Sequence, residues 1–146
     1  MEFVIRNFKP EDLDVITMFK QESGRISFPD SKIDLEMFKR SLLSRVRKDP
    51  ETVKVIEKDG EIIGYIYFFI KKTLTGTCGY IEHVFVRNEH RGKGLGKLLM
   101  KEAERYFKSK GIKRIRATVT LSNQTSLAMC RSLGYKEKRI ILEKEL

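Results

Sequence analysis

The sequence has only three prolines and two cysteines among 146 residues. Nowhere does it hold an apolar run approaching the roughly 20 residues of a membrane span. Cys78 and Cys130 stand far apart, with no second pair to complete a metal-ligand spacing or a disulfide framework, so both read as reduced thiols and no metal is expected. The opening stretch, "MEFVIRNFKPED", lacks the apolar core of a signal peptide. With neither span nor leader, the expected location is cytoplasmic and no membrane partner is expected. No internal repeat, low-complexity tract or linker divides the chain. The length fits one domain, 1–146, able to bury about two thirds of its unfolded surface. Helix-turn-helix, zinc-finger spacing and aromatic RNP signatures are missing as well.

What is present in excess is positive charge, a formal net +10. It favours an anionic partner: nucleic acid, a phosphorylated cofactor or an acidic membrane. The basic residues are spread along the chain and interleaved with Glu, so charge alone does not choose among these. A basic nucleic-acid-binding module draws support from the charge and from "KSKGIKRIR", but the missing motifs make nucleic acid an unlikely partner.

Periodicity orders the rest. "EFVIRNF" alternates as a first strand, and Pro10 with Glu11 and Asp12 opens a helix whose stripe is Leu13, Ile16 and Phe19. "ESGRISFPDSK" reads as a loop, broken by Gly24 and Pro29, with Phe28 and Asp30 on either side of the proline. A second helix follows Asp34 on Leu35, Phe38, Leu42 and Val46. Asp59-Gly60 makes a hairpin of "TVKVIEKDGEIIGYIYFFIKKT", and "GYIEHVFV" is the next strand. Leu95, Leu98, Leu99, Ala103, Tyr106 and Phe107 mark a long amphipathic helix stopped near Gly111. "IKRIRATVT" reads as a strand, "NQTSLAMCRSLG" as a short helix and "YKEKRIILEKEL" as a last strand. The expected order is β-α-α-β-β-β-α-β-α-β, a single α/β domain with a mixed sheet and about four helices.

Three glycines crowd "RNEHRGKGLGKLL" at the entrance to the long helix. Glycines between strand and helix let backbone amides reach phosphate oxygens, with the helix dipole behind them. A dinucleotide fingerprint counted from Gly92 would need glycine where Lys97 stands. A Walker loop ending at Gly96-Lys97 would need glycine at Arg91 and a hydroxyl residue at Leu98. Neither template fits.

The pattern that does fit is Arg-x-x-Gly-x-Gly, running Arg91, Gly92, Lys93, Gly94, Leu95, Gly96. Placed between "YIEHVFV" and a leucine-rich helix, it resembles the pyrophosphate loop of the GNAT superfamily, the acyl-CoA-dependent N-acyltransferases. The resemblance extends to "NQTSLAMCRSLGY", with Asn123 opening a helix and Leu133-Gly134-Tyr135 closing it, and to the element order over nearly the whole chain. It implies transfer of an acetyl group from acetyl-CoA to a primary amine of a small molecule or a protein. It also implies a homodimer as one possible assembly.

By the same resemblance, amides from Gly92 to Lys97 hold the pyrophosphate, with Arg91 and Lys93 or Lys97 adding charge. The backbone of Val84, Phe85 and Val86 pairs with the pantetheine arm, and Asn123 bonds the arm from the other side. Glu82 falls where many family members carry a general base. It can equally be a strand-end carboxylate paired with a Lys or Arg. His83, one residue on, is expected on the opposite face of a regular strand and without a catalytic role. The family commonly has a tyrosine seven residues after the asparagine, to protonate the leaving thiolate. Here Cys130 stands there, either as an acid or as a small buried residue, and Tyr135 is expected to pack. The departure at Cys130 also keeps open a non-catalytic acyl-CoA sensor.

Overall fold

The computed structural model describes residues 2–146. Strand β1 spans Val4–Asn7, and helices α1 (Leu13–Ser27) and α2 (Leu35–Lys48) follow. Strands β2 (Val53–Lys58), β3 (Glu61–Thr73) and β4 (Gly76–Val86) lead to helix α3 (Leu95–Ser109). Strand β5 (Ile115–Ala117) and helix α4 (Gln124–Ser132) complete the regular elements. The five strands lie in sequence order, antiparallel except for the parallel pair β4–β5.

Side-chain alternation sends the strands' apolar residues to two cores. On one face Ile56, Ile66, Phe68 and Ile81 meet Leu99, Met100, Ala103 and Phe107 of α3. On the other Val53, Val55, Tyr65 and Phe85 meet Ile16 and Phe19 of α1 and Phe38 and Leu42 of α2. Asp34 caps α2, its carboxylate accepting from the Met37 amide at 3.0 Å. Asp59 and Gly60 both take positive φ, the turn that suits the twist of the β2–β3 hairpin.

Two expectations change. Helix α1 runs through Gly24 to Ser27 rather than breaking at Glu22, because the following loop folds back on it. A Cβ at Gly24 would meet Ile33 Cδ1 at 2.0 Å, so this glycine makes room for packing instead of ending a helix. The expected last strand does not form. Residues 136–146 are exposed and take no regular structure, and β5 is only three residues long. Ile140, Ile141 and Leu142 are consecutive, so a strand's two-residue period would split them between faces, with charged residues on both sides. Among the described residues no helix is long and apolar enough to cross a membrane.

Candidate active site

The site begins at an irregularity in β4. Its pairing with β3 runs Tyr67 to His83 and then Phe68 to Ile81, so Glu82 has no partner: a β-bulge. The bulge overturns the expected alternation. Tyr80 stacks on Phe69 and His83 packs edge-on against Tyr65, both on the α1–α2 face, while Ile81 and Val84 join the α3 core. Glu82 faces the same side as His83, because its charge acts on Lys20, Tyr65 and Tyr67. Glu82 is exposed and makes no hydrogen bond or ion pair with any described residue, so its pairing with a Lys or Arg is not realised.

Beneath it runs a polar chain that sequence reasoning missed. The Tyr65 hydroxyl meets His83 Nδ1, His83 Nε2 lies 2.8 Å from Ser23 Oγ, and the Ser23 hydroxyl donates to the Lys20 carbonyl at 3.2 Å. Tyr65 is fully buried, so its proton needs an acceptor. That requirement makes Nδ1 the acceptor, puts the proton on Nε2 and orients every donor toward Lys20. The imidazole is held neutral, its pKa pushed down to about 3 by burial and by the Lys20 charge. It is a strut between α1 and the bulge.

The depressed pKa has a consequence for stability. The unfolded imidazole, with its ordinary pKa near ~6.5, gains a proton as pH falls, while the folded one resists down to about 3. Stability contributed by neutral His83 is therefore fully present above the unfolded pKa and is lost as pH falls. Urea unfolding between pH 6.5 and 5 should show a slope approaching ~1.4 kcal/mol per pH unit. His83→Gln should remove that slope, and an unchanged slope would mean His83 is not buried as a neutral group.

Beyond the bulge, β4 loses its outer neighbour. The pairing with β5 covers only Gly79, Tyr80 and Ile81, so from Glu82 onward that edge is open. The Gly79 amide donates toward β5, to the Arg114 carbonyl at 2.8 Å, and the Arg87 amide donates toward β3, to the Ile63 carbonyl at 2.8 Å. Counting alternately back from Arg87, His83 and Phe85 turn their backbone groups to β3. Val84 and Val86 turn theirs to the open edge. Of the three residues expected to offer backbone there, Phe85 does not. Its ring instead stacks on Phe19 at 4.7 Å between centroids.

The glycine loop follows. Gly92 and Gly94 have φ of 79 and 77, the left-handed region, and a Cβ on either would enter open space. Among the described residues, no backbone carbonyl accepts from the six successive amides of Gly92, Lys93, Gly94, Leu95, Gly96 and Lys97. They cluster at the positive end of α3, a helix of 15 residues. Gly96 is bare for another reason: a Cβ there would meet Met129 Sδ at 2.9 Å, so it lets α3 lie against α4. Arg91 folds back, its Nε donating to the Val86 carbonyl at 2.8 Å and its guanidinium lying over the Phe85 ring. It ties the loop to the strand end, while Lys93 and Lys97 carry charge without an ion-pair partner among the described residues.

On the other side of the opening, Asn123 caps α4, its Oδ1 accepting from the Ser126 amide at 3.2 Å. That leaves its NH₂ as the group able to donate. Cys130 is buried in the α3–α4 core, where burial raises its pKa. Tyr135 donates its hydroxyl to Glu104 at 2.7 Å, and burial and that carboxylate raise its pKa. By the α1–α2 loop, Phe28 helps line a concavity of about 290 Å³, and Asp30 does not.

The sequence model of the acetyltransferase (GNAT) family matches residues 15–135. An uncharacterized N-acetyltransferase of Methanocaldococcus jannaschii is 27% identical over 139 residues, which is 94% of this chain and 81% of that protein. A thialysine N-epsilon-acetyltransferase of Sus scrofa is 31% identical over 77 residues, covering 52% of this chain and under half, 45%, of its own length. The fold is also that of a predicted acetyltransferase from Clostridium acetobutylicum solved with acetyl-CoA. The TM-score is 0.78 at 17% identity, over 99% of this chain and 96% of that one. With open strand edge, free amides and family model falling on the same residues, the chain belongs to the GNAT acetyltransferase family, acetyl-CoA-dependent N-acetyltransferases.

Proposed function

We propose that this chain acetylates the primary amine of a small molecule, with Glu82 as general base and the Gly92–Lys97 amides as the seat of the coenzyme A pyrophosphate. The observation that carries the reading is the run of six unpartnered amides at the start of α3, beside an unpaired strand edge. Phosphate oxygens need such donors, and the helix dipole adds to their pull. Lys93 and Lys97 supply charge, and Arg91 holds the loop in place. The backbone groups of Val84 and the amide of Val86 are free to pair with the cofactor's arm, as an added strand would, while the Val86 carbonyl is held by Arg91. The Asn123 NH₂ completes the grip.

In this scheme Glu82 takes a proton from the ammonium, directly or through a water, and frees the lone pair for attack. A strand amide turned to the open edge donates to the developing oxyanion. The nitrogen–carbon bond forms, the carbon–sulfur bond breaks, and the thiolate sulfur takes its proton from solvent. Neither Cys130 nor Tyr135 is needed, since one is buried in the core and the other already donates to Glu104. Two free, buried thiols suit a reducing cytoplasm. The acceptor class follows the thialysine-acetylating relative, which acts on a small-molecule amine.

Calorimetry with acetyl-CoA, and separately with a short oligonucleotide, tests the donor site. Saturable binding of acetyl-CoA alone is expected, and binding of the oligonucleotide alone would reverse the reading. Cys130→Ala should change the rate of CoA thiol release by less than about threefold, because general-acid loss would cost ~10²-fold or more. A loss of that size would return Cys130 to the catalytic set.

A further inference from the structure

Lys20 is the feature that acetyl transfer leaves unexplained. It lies on α1, half-buried, with its ammonium 5.6 Å from the centre of the Phe38 ring. No described carboxylate forms an ion pair with it. Its own carbonyl accepts from Ser23, whose Oγ meets His83, so this turn of α1 is fixed over the bulge that carries Glu82. Burial lowers the Lys20 pKa and the Glu82 charge raises it, so the two charges act on each other without touching. Neither charge has an ion-pair partner among the described residues. The strut of Tyr65, His83 and Ser23 holds the elements that carry them. Other cations on this face lie over aromatic rings: Arg45 over Phe69 at 3.5 Å from its centre, Arg87 over Phe19 at 5.0 Å and Arg91 over Phe85 at 5.3 Å.

A half-buried cation without a partner is costly unless something anionic joins it. The group that would join it must also bring a cation to Glu82. We infer that the acceptor is an amino acid or a similar small zwitterion, its amine facing Glu82 and its carboxylate bound by Lys20. Lys20 is then a specificity residue: it orients the acceptor and takes no proton. The inference rests on the acetyl-transfer reading above, with Glu82 at the amine.

The test compares the twenty standard amino acids with their carboxamides, which keep the amine and lose the carboxylate. With acetyl-CoA saturating and CoA thiol release as readout, at least one amino acid should turn over with kcat/KM at least about tenfold above its carboxamide. Lys20→Met should raise KM for that amino acid by about 10- to 100-fold, leave its carboxamide nearly unaffected, and so erase the discrimination. Lys20→Arg should restore part of it, which a merely structural role for Lys20 would not predict. Acetyl-CoA affinity by calorimetry should be the same in all three proteins. Equal rates for acids and carboxamides, turnover of carboxylate-free amines only, or an equal loss on both in Lys20→Met would overturn the zwitterion assignment and leave acetyl transfer standing. A wild-type protein that binds no acetyl-CoA would remove both.

Discussion

Gly94→Val is expected to abolish acetyl-CoA binding in a protein that still folds. Two effects combine at that position. Gly94 has φ 77, and the left-handed region costs an L-residue about 1–2 kcal/mol, more for a β-branched one. Relief of that strain moves the amides of the loop out of register. The isopropyl group would also stand in space that is open at Gly94, over amides that phosphate oxygens must approach to within ~3 Å. Together these should raise Kd by at least about 100-fold, or ~2.8 kcal/mol, measured by calorimetry. Gly111→Val is the control. Its φ is 73, it too faces open space, and it lies at the far end of α3. That variant should lose stability to backbone strain and keep its acetyl-CoA affinity. Retained affinity in Gly94→Val would mean that the loop does not seat the pyrophosphate.

The parts of this site that the sequence displays are those made of backbone. Glycines at 92 and 94 announce a left-handed path because other residues resist it, and Arg-x-x-Gly-x-Gly places that path before a helix. Asn123 and its helix are legible for a similar reason, since a cap is a local bond between residues three apart. The bulge at Glu82 is not legible. It arises where β3 and β4 fall out of step, and that register depends on both strands and the cores they serve. An unbroken two-residue period therefore sends His83 to the wrong face. Ser23 and Lys20, 60 and more residues upstream, join the site only through that misread histidine. Gly24 and Gly96 are visible as glycines, but what they make room for, Ile33 and Met129, is a tertiary matter. The final strand fails for want of a period: three consecutive apolar residues name no face.

Replacing Glu82 with glutamine should separate catalysis from cofactor binding. The amide keeps the shape of the side chain and removes both its charge and its capacity to take a proton. In the proposed site acetyl-CoA would meet the loop and the open edge at Val84 and Val86, away from the Glu82 side chain, so its affinity should stay within about twofold. Loss of a general base should lower kcat by ~10²- to 10⁴-fold. The pH profile carries the more specific signature. An acceptor amine with a lysine-like pKa of ~10.4 is almost wholly protonated at neutral pH. Without Glu82 the enzyme must wait for amine already deprotonated in solution, and its rate should rise about tenfold per pH unit, or ~100-fold between pH 7 and 9. The wild type, which removes the proton itself, should show a much shallower rise over that range. A glutamine variant with a wild-type rate and profile would exclude Glu82 as the base. If the variant is slow but rises no more steeply than the wild type, the carboxylate serves to attract the cationic amine and the proton leaves by another route. The two roles share one side chain but not one pH dependence, which is why the profile, and not the rate alone, decides what the bulge at Glu82 is for.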